Sequence, residues 1–188
     1  MTVYEFTLEL AREAGELIVD QRNNAELTHQ YKNGQELVTN ADLLADTLII
    51  ESIKASYPSH YILSEESSPE AISIADLDAP LWIIDPIDGT VNYAHGHIQS
   101  AVSIAYVEEG NIQHGVVFNP FTDEMFSAQL GGGAFLNGKA ISVASESDLR
   151  RSIIATGFPY DKATIEPILK RVSAMLRECA DIRRMGSA

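Results

Sequence analysis

Glu65, Asp85 and Asp88 are the residues whose types and placement could do chemistry in this chain. Glu65 follows the apolar Tyr61-Ile62-Leu63 and Ser64, and Trp82-Ile83-Ile84 runs directly into Asp85. Carboxylates at the ends of covered strands are hard oxygen donors, the kind Mg²⁺ combines with water and substrate phosphate oxygens. The Ile87 carbonyl could add one more. Pro86 fixes its own φ and has no N–H, and Asp88-Gly89 is a common turn pair, so the strand is expected to end at Asp85 and a stiff turn to follow. If Thr90 or Asn92 opens a helix, Gly89 and Thr90 present N–H groups to an anion beside the cations. Phosphoryl transfer suits such a place, because it needs in-line positioning and charge neutralisation more than covalent help. On residue types alone, a structural Asp-rich turn competes with this reading.

Several elements must position these residues. Val3, Phe6, Leu10, Ala14, Leu17 and Ile18 recur at spacings of three and four, which predicts an amphipathic helix from Thr2 to about Asn23. A turn is expected at Gly34. Thr39 or Asn40 caps a second helix running to about Ser56, burying Leu44, Leu48, Ile49 and Ile53, with Pro58 closing it. Asp42 falls in its first turn, where the helix dipole favours a carboxylate. Tyr61 to Leu63 is a short strand, and Ser68 to Pro80 a weakly structured connection. From Ser100 to Val143 the pattern is an antiparallel meander, with Asn137-Gly138 as a tight hairpin and Gly131-Gly132-Gly133 as a bulge rather than a phosphate cradle. Arg151 to Thr156 is a further strand. Ile165 to Cys179 is a third helix with Ile168, Val172, Met175 and Leu176 on one face.

Thirteen Lys+Arg against 27 Asp+Glu give a formal charge of −14. That balance makes nucleic acid an unlikely partner, and it requires cations wherever an anionic phosphate is handled. No apolar run approaches the roughly 20 residues of a membrane span, and the N-terminus is acidic and helical rather than signal-like, so no membrane association and a cytoplasmic location are expected. Cys179, alone, has no disulfide partner and is expected on a buried or half-buried helix face. Ser64, Ser67, His95 and His97 form no nucleophile elbow, and no glycine-rich loop ends in the Lys-Ser/Thr of an NTPase. His29, His60 and His114 carry no functional signal. Arg183-Arg184 is the only basic pair near the end and reads as a helix-terminal charge pair.

Residues 82–96, WIIDPIDGTVNYAHG, closely resemble the aspartate signature of the inositol monophosphatase family, W-[IV]-[IV]-D-P-[IL]-D-G-T-x-N-[FY]. Further matches come in order. Lys32 with Leu37-Val38-Thr39 and Asp42 resembles the family's K…D-L-V-T-x-x-D segment, Leu63 to Ser67 its I-x-G-E-E-S segment, and Gly131 to Gly138 its G-x-G-A-F-x-N-G hairpin. Ile153 to Pro159 and the closing Arg183 to Ala188 resemble the bacterial SuhB-type branch.

The resemblance implies an α/β protein, an αβαβα sandwich shared with fructose-1,6-bisphosphatases. It also implies a Mg²⁺-dependent, lithium-sensitive, usually homodimeric hydrolase of small phosphorylated polyols, converting myo-inositol monophosphate to inositol and phosphate with a metal-activated water. Related chemistry on fructose-1,6-bisphosphate, nucleotide 3′-phosphates or histidinol phosphate is the alternative within the fold, and a transcription-machinery partner follows by analogy with the SuhB-type branch. Glu65, Asp85 and the Ile87 carbonyl would hold a first metal; Asp85 and Asp88 would share a second. Thr90, supported by Glu65 and Asp42, would orient the attacking water. Gly89 and Thr90 N–H groups would bind phosphate, and Gly186, Ser187 and Ala188 would lie near the substrate's ring.

Three departures remove no implied ligand: Ser64 replaces a usual glycine, Glu36 an Asp-type position, and Val91 a second threonine. A larger departure is the lack of the family's W-D-x-A-x-G segment, whose aspartate completes the second metal site. The division implied is residues 1–150 as a metal- and phosphate-binding domain and 151–188 as the start of a C-terminal domain whose layers are missing, with the 188 residues expected to be a fragment, weak or inactive alone.

Overall fold

The computed structural model describes residues 1–24, 26–32, 36–67, 78–159 and 162–187. The turn expected at Gly34, most of the connection after Ser67, and Ala188 lie outside them.

Helix α1 spans Val3–Asn24. It begins at a reciprocal cap that the sequence reading did not use: the Glu5 N–H donates to Thr2 Oγ1 at 3.1 Å and the Thr2 N–H to Glu5 Oε2 at 2.7 Å. Its buried face carries Phe6, Leu10, Ala14 and Ile18, each one turn beyond the last. Strands β1 (His29–Lys32) and β2 (Glu36–Thr39) pair antiparallel and lead into α2, Asn40–Ser56. Thr39 is its N-cap, as expected, but the buried face differs from the prediction. Ala41, Ala45, Ile49 and Ile53 pack inward, whereas Leu44 is 44% exposed and Leu48 only half covered. Alanines on that stripe let α2 lie close to α1 and the sheet, and Leu44, one residue on from Leu43, turns outward.

The main sheet has seven strands in the order β3-β4-β5-β6-β7-β8-β9: Tyr61–Ser64, Leu81–Asp88, Ala101–Glu108, Asn111–Asn119, Glu124–Gln129, Gly133–Leu136 and Lys139–Ile141. β3 runs parallel to β4, and every later neighbour is antiparallel, so the expected meander is present. Asn137 and Gly138 both take positive φ in the last hairpin. α1 packs on β5 and β6, α2 on β4. At the closest approach, a Cβ on Gly15 would lie 2.5 Å from two ring carbons of Phe118, so glycine there sets the helix-to-sheet distance.

Trp82 is fully buried at the centre of the core. Phe6, Tyr57, His60, Tyr106 and His114 surround its ring, and its Nε1–H donates to His60 Nδ1 at 3.1 Å. His114 is 5% exposed and its Nε2 shares a 2.7 Å hydrogen bond with the Thr7 hydroxyl. Two histidines without a functional signal thus act as core hydrogen-bonding partners.

After the meander, β10 (Ile153–Ala155), α4 (Ile165–Met175) and β11 (Asp181–Arg183) make a parallel βαβ unit. β11 went unpredicted because it has three residues, two of them charged. α4 ends four residues before Cys179, which is half-buried beyond the helix, its thiol donating to the Asp181 carbonyl at 3.3 Å. Leu176, expected on the packed face, is 55% exposed, while Ile168, Val172 and Met175 are half-buried.

Candidate functional site

The predicted residues gather at the far ends of β3 and β4 and the start of α3, Thr90–Ala94. The turn comes later than the sequence reading places it. β4 does not stop at Asp85 but runs to Asp88, and its pairing with β5 slips: Asp85 faces Ser103, Asp88 faces Ala101. Three steps along β4 match two along β5, a one-residue bulge at Pro86-Ile87. Proline cannot donate to the ladder, which accounts for the bulge's position. Successive strand residues alternate faces, so residues three apart would ordinarily point oppositely; the extra residue turns Asp85 and Asp88 to one side.

Gly89 then reverses the chain at φ 89° and caps α3. A Cβ there would stand 2.9 Å from the carbonyl oxygens of both Gln99 and Gly186, so only glycine fits the conformation and the space. Tyr93, buried, pins α3 to α1 by donating its hydroxyl to the Ile18 carbonyl at 2.7 Å. Asn92 Nδ2 donates to the carbonyls of Gln99 at 2.7 Å and Met185 at 2.8 Å, and Ser187 Oγ donates to Asp88 Oδ2 at 3.0 Å. Gly186 and Ser187 therefore lie against the α3 turn.

Glu65 is carried off the end of β3, its N–H donating to the Ile84 carbonyl at 3.1 Å, and its carboxylate meets Asp85. Burial, then the charges of Glu65 and Asp88, push the Asp85 carboxyl up to about 9. Among the described residues no group of three or more Asp, Glu, His or Cys side chains stands ready-made around a metal ion. The three carboxylates repel one another as neighbours without closing into a cage. Their donor chemistry, all oxygen and like-charged, fits a hard divalent cation. The Ile87 carbonyl, expected as a ligand, accepts from Thr90 Oγ1 at 3.0 Å and keeps a second lone pair.

Asp42 is more than a dipole partner. It is 1% exposed, and its Oδ2 accepts from the Thr39 N–H at 2.9 Å and the Thr39 hydroxyl at 2.6 Å, while Oδ1 accepts from Thr90 Oγ1 at 3.1 Å. Burial holds its carboxyl above the usual range, and the Thr39 and Thr90 bonds pull it back. Thr90 has one hydroxyl proton, so it donates to Asp42 or to Ile87 at any moment. Sequence reasoning missed a second buried acid, Asp46, one turn beyond Asp42 and 5% exposed, which accepts from Ser64 Oγ. Its signal was present: an acid on the stripe of Ala41, Ala45 and Ile49. The two histidines after the signature, His95 and His97, stay exposed.

The model of the inositol monophosphatase family matches residues 1–188. Among curated relatives, the "Nus factor SuhB" of Vibrio cholerae is 42% identical over 96% of this chain and 67% of its own length. "Inositol monophosphatase 2" of Solanum lycopersicum is 38% identical over 97% of this chain and 70% of its own. A solved structure of the extragenic suppressor protein suhB from Bartonella henselae superposes with a TM-score of 0.90 at 34% identity, covering 99% of this chain and 71% of that one. The chain thus spans about two thirds of the length of the relatives it matches.

Proposed function

The chain belongs to the inositol monophosphatase family, and from that premise we propose that it hydrolyses a phosphate monoester with Mg²⁺ as cofactor. The preferred substrate in this reading is myo-inositol monophosphate, and the protein works in the cytoplasm as a lithium-sensitive homodimer. The observation that carries the reading is the crowding of Glu65 and Asp88 on Asp85, an electrostatically unfavourable arrangement that divalent cations relieve. Glu65, Asp85 and the Ile87 carbonyl would hold one ion, and Asp85 and Asp88 would contribute to a second. When bound, Mg²⁺ neutralises the phosphate and makes water acidic enough to act as nucleophile near neutral pH.

This chain's residues supply the rest. Gly89 and Thr90 N–H groups, at the start of α3, bind the phosphate oxygens. Thr90 Oγ1, donating to Asp42 Oδ1, keeps lone pairs with which to accept a hydrogen bond from the attacking water and so to aim it. The water oxygen bonds to phosphorus as the ester P–O bond breaks, the bonding pair leaving with the alcohol oxygen, which takes a proton from solvent, and the water's own proton passes toward Thr90 Oγ1 as Thr90 hands its proton to Asp42. Gly186 and Ser187 flank the alcohol side; Ala188 lies outside the described residues. Mg²⁺-dependent release of phosphate from myo-inositol monophosphate is expected of the full-length protein and is lost in its Asp88→Asn variant; full activity in that variant would refute the site.

A second reading is favoured by the name of the Vibrio cholerae relative, a Nus factor: a transcription-machinery partner for the same fold. A metal-ligand variant that loses hydrolysis yet still binds that machinery would establish two separable roles.

A further inference from the structure

α2 carries two buried acids one turn apart, and each grips a hydroxyl from a different site loop. Asp42 holds Thr90 beyond β4; Asp46 holds Ser64, the last residue of β3. The same Ser64 oxygen accepts the Glu66 N–H at 3.3 Å, so the hydroxyl fastens the backbone on both sides of Glu65 to the helix. Ser64 is 2% exposed, whereas Glu65, one residue on, is exposed.

A buried acid among Ala41, Ala45 and Ile49 is a poor way to gain stability, because desolvating a carboxylate is costly and a well-packed apolar residue does as well or better. What the acid supplies is direction. We infer that Asp46 and Ser64 are a positioning pair whose hydrogen bond sets how Glu65 leaves β3 and hence where its carboxylate stands beside Asp85. The inference rests on the metal-site reading above, with Glu65 as a cation ligand and Ser64 and Asp46 acting through it. Asp42 and Asp46 then make α2 the common mount for both loops of the site.

The test is calorimetric titration of Mg²⁺ into the full chain, its Ser64→Ala and Ser64→Thr variants, and Asp46→Asn, with the thermal melt of each metal-free protein recorded alongside. Ser64→Ala is expected to weaken Mg²⁺ binding by about tenfold, the lower end for a lost outer hydrogen-bond partner. Ser64→Thr, which keeps the hydroxyl, restores affinity, and Asp46→Asn, which keeps an oxygen acceptor without the charge, weakens it by about threefold. Parent-like Mg²⁺ affinity in Ser64→Ala overturns the inference, whatever the melt does, since a merely structural bond would move the melt alone. Should Ser64→Ala fail to fold, parent-like affinity in Asp46→Asn overturns it equally. A parent chain that binds no Mg²⁺ refutes the metal site itself, a different outcome from a parent that binds and a variant that does not differ.

Discussion

Asp42 separates stability from chemistry, and two substitutions test the separation. Asp42→Ala removes the acceptor of three hydrogen bonds at a position 1% exposed. Loss of a helix cap costs about 1 kcal/mol. The Thr39 N–H and hydroxyl, left buried without an acceptor, add about 1–3 kcal/mol. Relief of a desolvated charge, the cause that raises the Asp42 carboxyl, works against these. The net expectation is a loss of about 2–3 kcal/mol. Asp42→Asn keeps the shape: its oxygen accepts both Thr39 donors, and its NH₂ donates to Thr90 Oγ1, which still donates to the Ile87 carbonyl 3.0 Å away. Every group stays paired, so the cost is below about 1 kcal/mol. The asparagine nevertheless reverses the polarity at Thr90, which can no longer pass a proton to position 42, and hydrolysis falls by about 10²-fold. Urea denaturation followed by the fluorescence of Trp82, the single tryptophan of these 188 residues and fully buried, measures the first effect; phosphate release by the full-length protein measures the second. Equal destabilisation by Asn and Ala would refute the hydrogen-bond argument, and an active, stable Asn variant would remove Asp42 from the chemistry.

Gly15→Ala opposes two known effects: alanine gains about 1 kcal/mol of helix propensity, but its Cβ meets the Phe118 ring at 2.5 Å in a closed core, which costs about 1–3 kcal/mol. The ring is 3% exposed with Arg12 over its face, so overpacking wins and a lower urea midpoint is expected; an unchanged or higher one would show that the ring yields freely. Burial holds His114 below its ordinary 6.5, so the unfolded chain binds more protons there than the native one. Stability is therefore undiminished by this group above about pH 6.5 and is lost as pH falls beneath it. His114→Gln should narrow the difference in urea midpoint between about pH 7.5 and about pH 5.5; an identical difference in both proteins would refute the assignment.

How far the site could be read before the structure depended on what each residue's signal was made of. α1, α2 and the meander rest on periodicity and turn pairs, which are local, and they came out with boundaries shifted by a residue or two. The bulge in β4 is read from the sequence as a turn because Pro86 inside an apolar run fits either a turn or a slipped strand, and only pairing with β5 decides between them. Leu44 and Leu48 were assigned inward because they are the larger apolar residues, yet close packing selected the alanines beside them. Local pattern marks Asp42 only as a helix-start acid; its tie to Thr90, a contact across 48 positions of chain, is legible from the family resemblance alone. Asp46 broke the apolar stripe of its own helix, and that inconsistency was the readable clue. A charge that local pattern cannot justify is worth tracing to a loop elsewhere, because only a long-range partner offsets its desolvation. The same reasoning turns the bulge from an irregularity into a requirement. In a regular, unbulged pairing of the same residues Asp85 and Asp88, three apart, would face opposite sides of the sheet, and a slip in register that regularised β4 would part them even with every carboxylate retained.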